Sequence, residues 1–119
     1  MEIYKELELL GFFHWYRNQY GSLNYDEYKS VYDKLPLDNV IRTHLNACAI
    51  NFFLQIHHIY AVLIPTVSMC WTFKTMTVVE GMVEVPPYNH VESADFASFD
   101  EAQYEAIKKL IEIVKEQKL

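Results

Sequence analysis

A long uncharged segment in the middle of the chain limits what this protein can fold into. Between residues 43 and 73 there is no Asp, Glu, Lys or Arg. A segment of this length can cross a bilayer, which requires about 20 consecutive apolar residues. Side-chain amides, imidazoles and a proline interrupt it, however, and such polar groups are costly in hydrocarbon. We therefore predict a buried helix end followed by core strands, and no membrane partner.

The remaining composition is typical of a small, acidic, folded domain. A chain of 119 residues that is 51% hydrophobic suits one domain, which we assign to residues 1–119. A net charge of −6 repels phosphate, so we predict no nucleic-acid partner. Cys48 and Cys70 lie in apolar surroundings and the N-terminal segment is acidic, unlike a secretory signal. We expect reduced cysteines and a cytoplasmic location, although a single disulfide stays open.

The sequence pattern of residues 1–34 predicts an aromatic helical region. Residues 2–10 have apolar side chains at helical spacing, and Gly11 marks a stop or kink. Residues 12–20 are dense in aromatic side chains and predict a short helix that fills a core. Asn24 and Glu27 predict the capped start of another short helix, which Pro36 closes.

An α-β-β-β-α unit is predicted over residues 35–118. Asp38 is the expected N-cap of a helix over residues 39–48, with one buried face. That face comprises Val40, Ile41, Leu45 and Cys48. Alternating apolar residues then predict strands over residues 52–64, 68–79 and 82–85, with turns at Pro65 and Gly81, and Pro86 and Pro87 end the last strand.

The last element has the clearest local signal. Ser98 and Glu101 form a capping box, in which each side chain is expected to bond the backbone amide of the other. An apolar stripe follows at three- and four-residue spacing, from Ala102 through Ala106, Ile107, Leu110, Ile113 and Val114. The fold class is therefore α+β, with N-terminal helices, a three-stranded antiparallel sheet and a long C-terminal helix packed on the sheet.

No combination of residues in the sequence predicts a reaction or a cofactor. The spacing of the histidines does not fit a metal site, and neighbouring side chains such as His57 and His58 point to opposite faces of a strand. Neither cysteine has a basic neighbour except Lys74 near Cys70, and no phosphate-binding glycine motif occurs. We predict no metal, no cofactor and no enzymatic activity.

Several segments of the second half resemble a known group of proteins. The sequence around Trp71, the segments beginning at Pro36 and Pro86, Asp95-Phe96, and the helix from Ser98 to Lys115 are similar to small uncharacterised proteins of gut Bacteroides genomes and their phages or mobile elements. The group has no known activity, so the resemblance implies a phage-related context inside a bacterium and no mechanism.

The favoured function is a non-catalytic protein-interaction module that meets a partner protein or its own copy. This prediction is based on the aromatic content of 15%, because Tyr and Trp are favoured at half-exposed interface positions. The candidate contact residues are Trp15, Tyr16, Tyr20 and Tyr88. The alternatives are a histidine-lined ligand-binding protein or enzyme using His58 or His90, a double-stranded RNA-binding-like fold without its basic contact residues, and an antitoxin-like inhibitor.

Overall fold

The computed structural model describes residues 3–20, 34–36, 39–66, 69–79, 82–84, 90–91 and 95–117. The chain is α+β, with N-terminal helices, an antiparallel sheet and a long C-terminal helix, which confirms the predicted class. The helices are α1 (Ile3–Leu10), α2 (Phe12–Tyr20), α3 (Val40–Phe52) and α4 (Phe99–Gln117), and the strands are β1 (Ile59–Pro65), β2 (Trp71–Val79), β3 (Met82–Glu84) and β4 (His90–Val91). The expected cap at Asn24, and the predictions for Asp38, Pro86, Pro87 and Tyr88, lie outside the described residues.

Helices α1 and α2 meet at Gly11, as predicted. Gly11 has a φ of +90°, a conformation that side-chain-bearing residues rarely adopt, so the glycine allows the sharp change of direction. Helix α2 buries Phe12 and Trp15, and both rings contact Phe52 of α3 edge-on. The aromatic segment therefore belongs to the core, as its density predicts.

Helix α3 begins one residue later than Asp38 predicts. The Asn39 side chain is the N-cap, and its Oδ1 accepts from the amides of Ile41 at 2.9 Å and Arg42 at 3.4 Å. The helix also continues past Cys48 as far as Phe52.

The prediction of a strand beginning at residue 52 was wrong for residues 52–58. Helix α3 passes directly into a π-helical turn, Phe53–His57, and His58 ends it with a left-handed φ of 57°. Phe52 and Phe53 are both fully buried. A strand would point these neighbours to opposite faces, whereas a helical path through the core buries both, so β1 begins only at Ile59.

The prediction of a three-stranded sheet was wrong, because among the described residues only two long strands form the body of the sheet. β1 and β2 are antiparallel from the pair Ile59 and Thr77 to the pair Pro65 and Trp71. The predicted turn after Pro65 is present, with the Met69 amide bonded to the Thr66 carbonyl oxygen at 3.2 Å. β3 and β4, of three and two residues, pair with β2 and not with β1.

Helix α4 packs on β1 and β2 through the predicted stripe, whose six members are all buried. Half of the predicted capping box is present, since the Glu101 amide donates to Ser98 Oγ at 3.2 Å. The Glu101 carboxylate instead accepts from the Ala97 amide, one residue earlier than expected. Among the described residues, no helix is long and apolar enough to cross a membrane.

Candidate binding groove

Helix α3 has one Asp, Glu, Lys or Arg side chain, and that side chain points inward. Arg42 is 6% exposed, donates to the Leu35 carbonyl oxygen, and its guanidinium carbon lies 5.4 Å from the centre of the Tyr104 ring. The outer face carries Val40, His44 and Ala47, which follow at helical spacing. Val40 is 82% exposed, so its predicted place on the buried face was wrong. The outer face of α3 therefore presents no Asp, Glu, Lys or Arg side chain.

Two adjoining hollows lie between this helix, the start of α4 and strand β1. They share Ala47, Phe99 and Gln103, and together we call them the edge groove. The first hollow has a volume of about 420 Å³ and is lined by Val40, Thr43, His44, Ala47, Phe99 and Gln103. The second has a volume of about 310 Å³ and is lined by Ala47, Ile50, Tyr60, Ala61, Val62, Leu63, Phe99 and Gln103.

The second hollow follows the edge of the sheet. Its lining includes four consecutive residues of β1, from Tyr60 to Leu63. Successive side chains of a strand point to opposite faces, so a hollow that touches four in a row runs along the strand's edge. Within the described part of the chain, β1 pairs only with β2. The edge groove therefore occupies the position beside β1 where a further strand of the sheet would lie.

Polar groups hold the two helical walls of the groove together. The Thr43 hydroxyl donates to Asp100 Oδ1 at 3.0 Å, and Gln103 Nε2 donates to the Thr43 carbonyl oxygen at 3.4 Å. Gln103 is 2% exposed, and its Oε1 accepts no hydrogen bond from the residues that the structure describes. A buried acceptor without a donor is unfavourable, so this oxygen is a local cost to the packing of α4 against α3.

A cluster of titratable side chains lies beside the groove, on the inner side of His44. His44 Nε2 is 3.3 Å from the Tyr16 hydroxyl and 3.7 Å from Cys48 Sγ. Tyr20 closes the cluster, with its ring centre 6.3 Å from that of His44. A cysteine and a histidine at this separation resemble the nucleophile and base of a thiol enzyme.

The electrostatics of the cluster oppose that chemistry. Burial raises the pKa of the Cys48 thiol, and a weaker opposing effect comes from its hydrogen bond with Tyr20. The same bond raises the pKa of Tyr20, with burial adding to it. A thiol with a raised pKa stays protonated near neutral pH, whereas a nucleophilic cysteine needs the thiolate. The direction of this shift is therefore opposite to the one that activates a cysteine nucleophile.

Three of the four candidate contact residues lie among the described residues, and the rings of Trp15 and Tyr16 both contact that of Tyr20. Trp15 and Tyr16 are buried, at 8% and 4% exposure, and only Tyr20, at 50%, reaches solvent. Tyr88 lies outside the described residues. Of the proposed histidines, His58 is exposed at the end of the π-helical turn and His90 lies in β4. Among the residues that the structure describes, no three His, Cys, Asp or Glu side chains come close enough to hold a metal ion.

Sequence analysis missed the groove residues Val40, Ala47, Phe99 and Gln103. The uncharged segment was the available signal, because it includes Ala47 and all of β1. We interpreted it as core alone, whereas part of it forms an accessible helix face and a sheet edge.

Comparison with known proteins assigns the chain to no family, since no family model, curated protein or solved structure matches it.

Proposed function

We propose that this protein is a non-catalytic interaction module, and that its edge groove binds an extended, uncharged segment of a protein along β1. The observation that carries the proposal is the hollow beside four consecutive residues of an edge strand. Backbone groups at such an edge can pair with an incoming strand, and pockets for alternate side chains supply specificity.

The lining of the groove supports an uncharged apolar segment. Its walls are Val40, Ala47, Ile50 and Phe99, and burying a charge against them would be unfavourable without a paired countercharge. Both hollows have the volume of a small binding pocket, which is about 300 Å³ or more. Each hollow can therefore accept side chains of a bound peptide.

We place this interaction in the cytoplasm. Cys48 and Cys70 are both free thiols, which supports a reducing compartment.

Selection from a display library of short random peptides tests the function. The immobilised full chain would be used for selection, and the affinity of the enriched peptides would then be measured for wild type and Ala47→Glu. Ala47 is exposed on α3, so a glutamate there keeps the helix and places a charge in the groove. Gln117→Glu is the matched control, because it adds the same charge at the exposed far end of α4, about 27 Å along the helix from Phe99.

The proposal predicts enriched peptides that are uncharged and rich in aliphatic or aromatic residues at alternate positions. Their affinity should fall at least about tenfold in Ala47→Glu and stay unchanged in Gln117→Glu. Peptides that bind wild type and Ala47→Glu equally, or a library without any enrichment, would contradict the proposal.

A further inference from the structure

We infer that the segment bound in the edge groove is strand β1 of a second copy of this chain, so that two copies form one continuous sheet. The inference rests on the proposed function, because it names the partner of the same groove. It predicts a symmetric dimer in which each β1 is the added strand of the other.

The sequence of β1 is complementary to itself. In an antiparallel pair centred on Val62, Ile59 faces Pro65, Tyr60 faces Ile64 and Ala61 faces Leu63. Every pair joins uncharged, largely apolar side chains, and apolar pairs that face each other across strands stabilise a sheet. A two-fold axis through Val62 makes the same surface serve both partners, as most homodimers require.

Charge favours this face over the rest of the surface. Two copies with a net charge of −6 each repel one another wherever their acidic residues meet. The outer face of α3 and the whole of β1 carry no Asp, Glu, Lys or Arg that is exposed. The edge groove is therefore a surface on which like-charged copies can approach closely.

The pairing would also extend the sheet. Among the described strands only β1 and β2 are long, and α4 packs on both of them. Joining two copies at β1 produces the order β2-β1-β1-β2 with four long strands. Natural proteins protect an exposed sheet edge with Lys or Pro on the edge strand. β1 contains no Lys, and its single proline lies at its end, so pairing with a second copy would cover an edge that lacks this protection.

Sedimentation velocity on the full chain, from about 1 μM to about 1 mM, tests the inference. Val62→Glu is the informative variant because Val62 lies directly opposite Lys74 in the β1 and β2 ladder. The new carboxylate can pair with Lys74 within one copy, but in the dimer two glutamates face each other across the two-fold axis. Thr72→Glu is the matched control, since it adds the same charge beside Lys74 on β2, one strand further from the edge.

We expect a monomer–dimer equilibrium for wild type and Thr72→Glu. In Val62→Glu the dissociation constant should rise at least about tenfold, because like charges that face each other across an interface are strongly unfavourable. A wild type that stays monomeric over the whole range, or a dimer that Val62→Glu leaves unchanged, would overturn the inference.

Hydrogen exchange of the wild-type amides keeps the test independent of any variant's folding. With rising concentration, alternate amides between Ile59 and Ile64 should become protected, and no change there would also overturn the inference. If the protein is strictly monomeric and the binding of its selected peptides depends on Ala47, the dimer is contradicted and the proposed function is kept. If the protein dimerises through β1 but no selected peptide depends on Ala47, the dimer is kept and the binding of other peptides in the groove is contradicted.

Discussion

The Thr43 hydroxyl donates a 3.0 Å hydrogen bond to Asp100 Oδ1, and this bond joins the start of α3 to the first turn of α4. Thr43 lines the edge groove, Asp100 follows the lining residue Phe99, and Gln103 adds a second link to the Thr43 carbonyl oxygen. The separation of the two helical walls is therefore set by side-chain bonds as well as by packing.

A double-mutant cycle with Thr43→Val and Asp100→Ala measures this link. We expect a coupling free energy of about 1 kcal/mol, the usual net value of such a bond. Urea unfolding of wild type, both single variants and the double variant gives the coupling. Additive effects of the two substitutions would show that the bond does not hold the walls together.

Loss of the α4 cap should destabilise the whole fold. Ser98→Ala removes the acceptor of the Glu101 amide and is expected to lower the free energy of unfolding by about 1 kcal/mol. Ser98→Asp restores a capping oxygen and should recover most of that loss. Thermal unfolding checks both variants, and equal stability of Ser98→Ala and wild type would contradict the assignment.

The reactivity of Cys48 should follow its raised pKa. In Cys70→Ser the only remaining thiol is Cys48, and its alkylation rate should rise with a midpoint above the ordinary thiol value of about 8.5. Tyr20→Phe removes the bond that partly offsets burial, so the midpoint should move still higher. A midpoint below the ordinary value would show an activated thiol and would contradict the raised pKa.

The same shift predicts how stability depends on pH. Because folding raises the pKa of Cys48, the protonated thiol favours the folded state. Its contribution is complete below the unfolded pKa and is lost as pH rises through the folded pKa. In Cys70→Ser the free energy of unfolding should therefore decline above about pH 8.5, and this part of the decline should vanish when Cys48→Ala is added.

The ion pair between α1 and the end of α4 should contribute little. Lys115 Nζ lies 2.9 Å from Glu6 Oε2, but the Lys115 side chain is half exposed. We expect Lys115→Gln to cost about 0.5 kcal/mol or less, and the difference from wild type to shrink in high salt. Urea unfolding at low and high salt tests this, and a large salt-independent loss would contradict it.

Local sequence signals correctly predicted features of the N-terminal helices and of α4. The buried stripe of α4 and the Ser98 cap depend on residues three and four apart, which the sequence displays directly. The kink at Gly11 is similarly local. The segment before Ile59 was harder, because its uniformly apolar residues fit either a strand or a buried helix, and only the core around Phe52 and Phe53 decides between them.

The edge groove could not be predicted from such patterns. It depends on which edge of β1 is left open and on how α3 meets α4, and both are tertiary relationships. Val40 illustrates the difference, since its spacing fits the buried face while the fold exposes it. The sequence did supply the absence of charge from β1, which is the property on which the proposed function depends.

Amide hydrogen exchange along β1, with and without a peptide from the display selection, tests the central claim most directly. In dilute free protein, alternate amides between Ile59 and Ile64 point away from β2 and should exchange quickly. Saturation with the peptide should slow these same amides and leave those bonded to β2 unchanged. Peptide binding without any added protection in β1 would contradict the account.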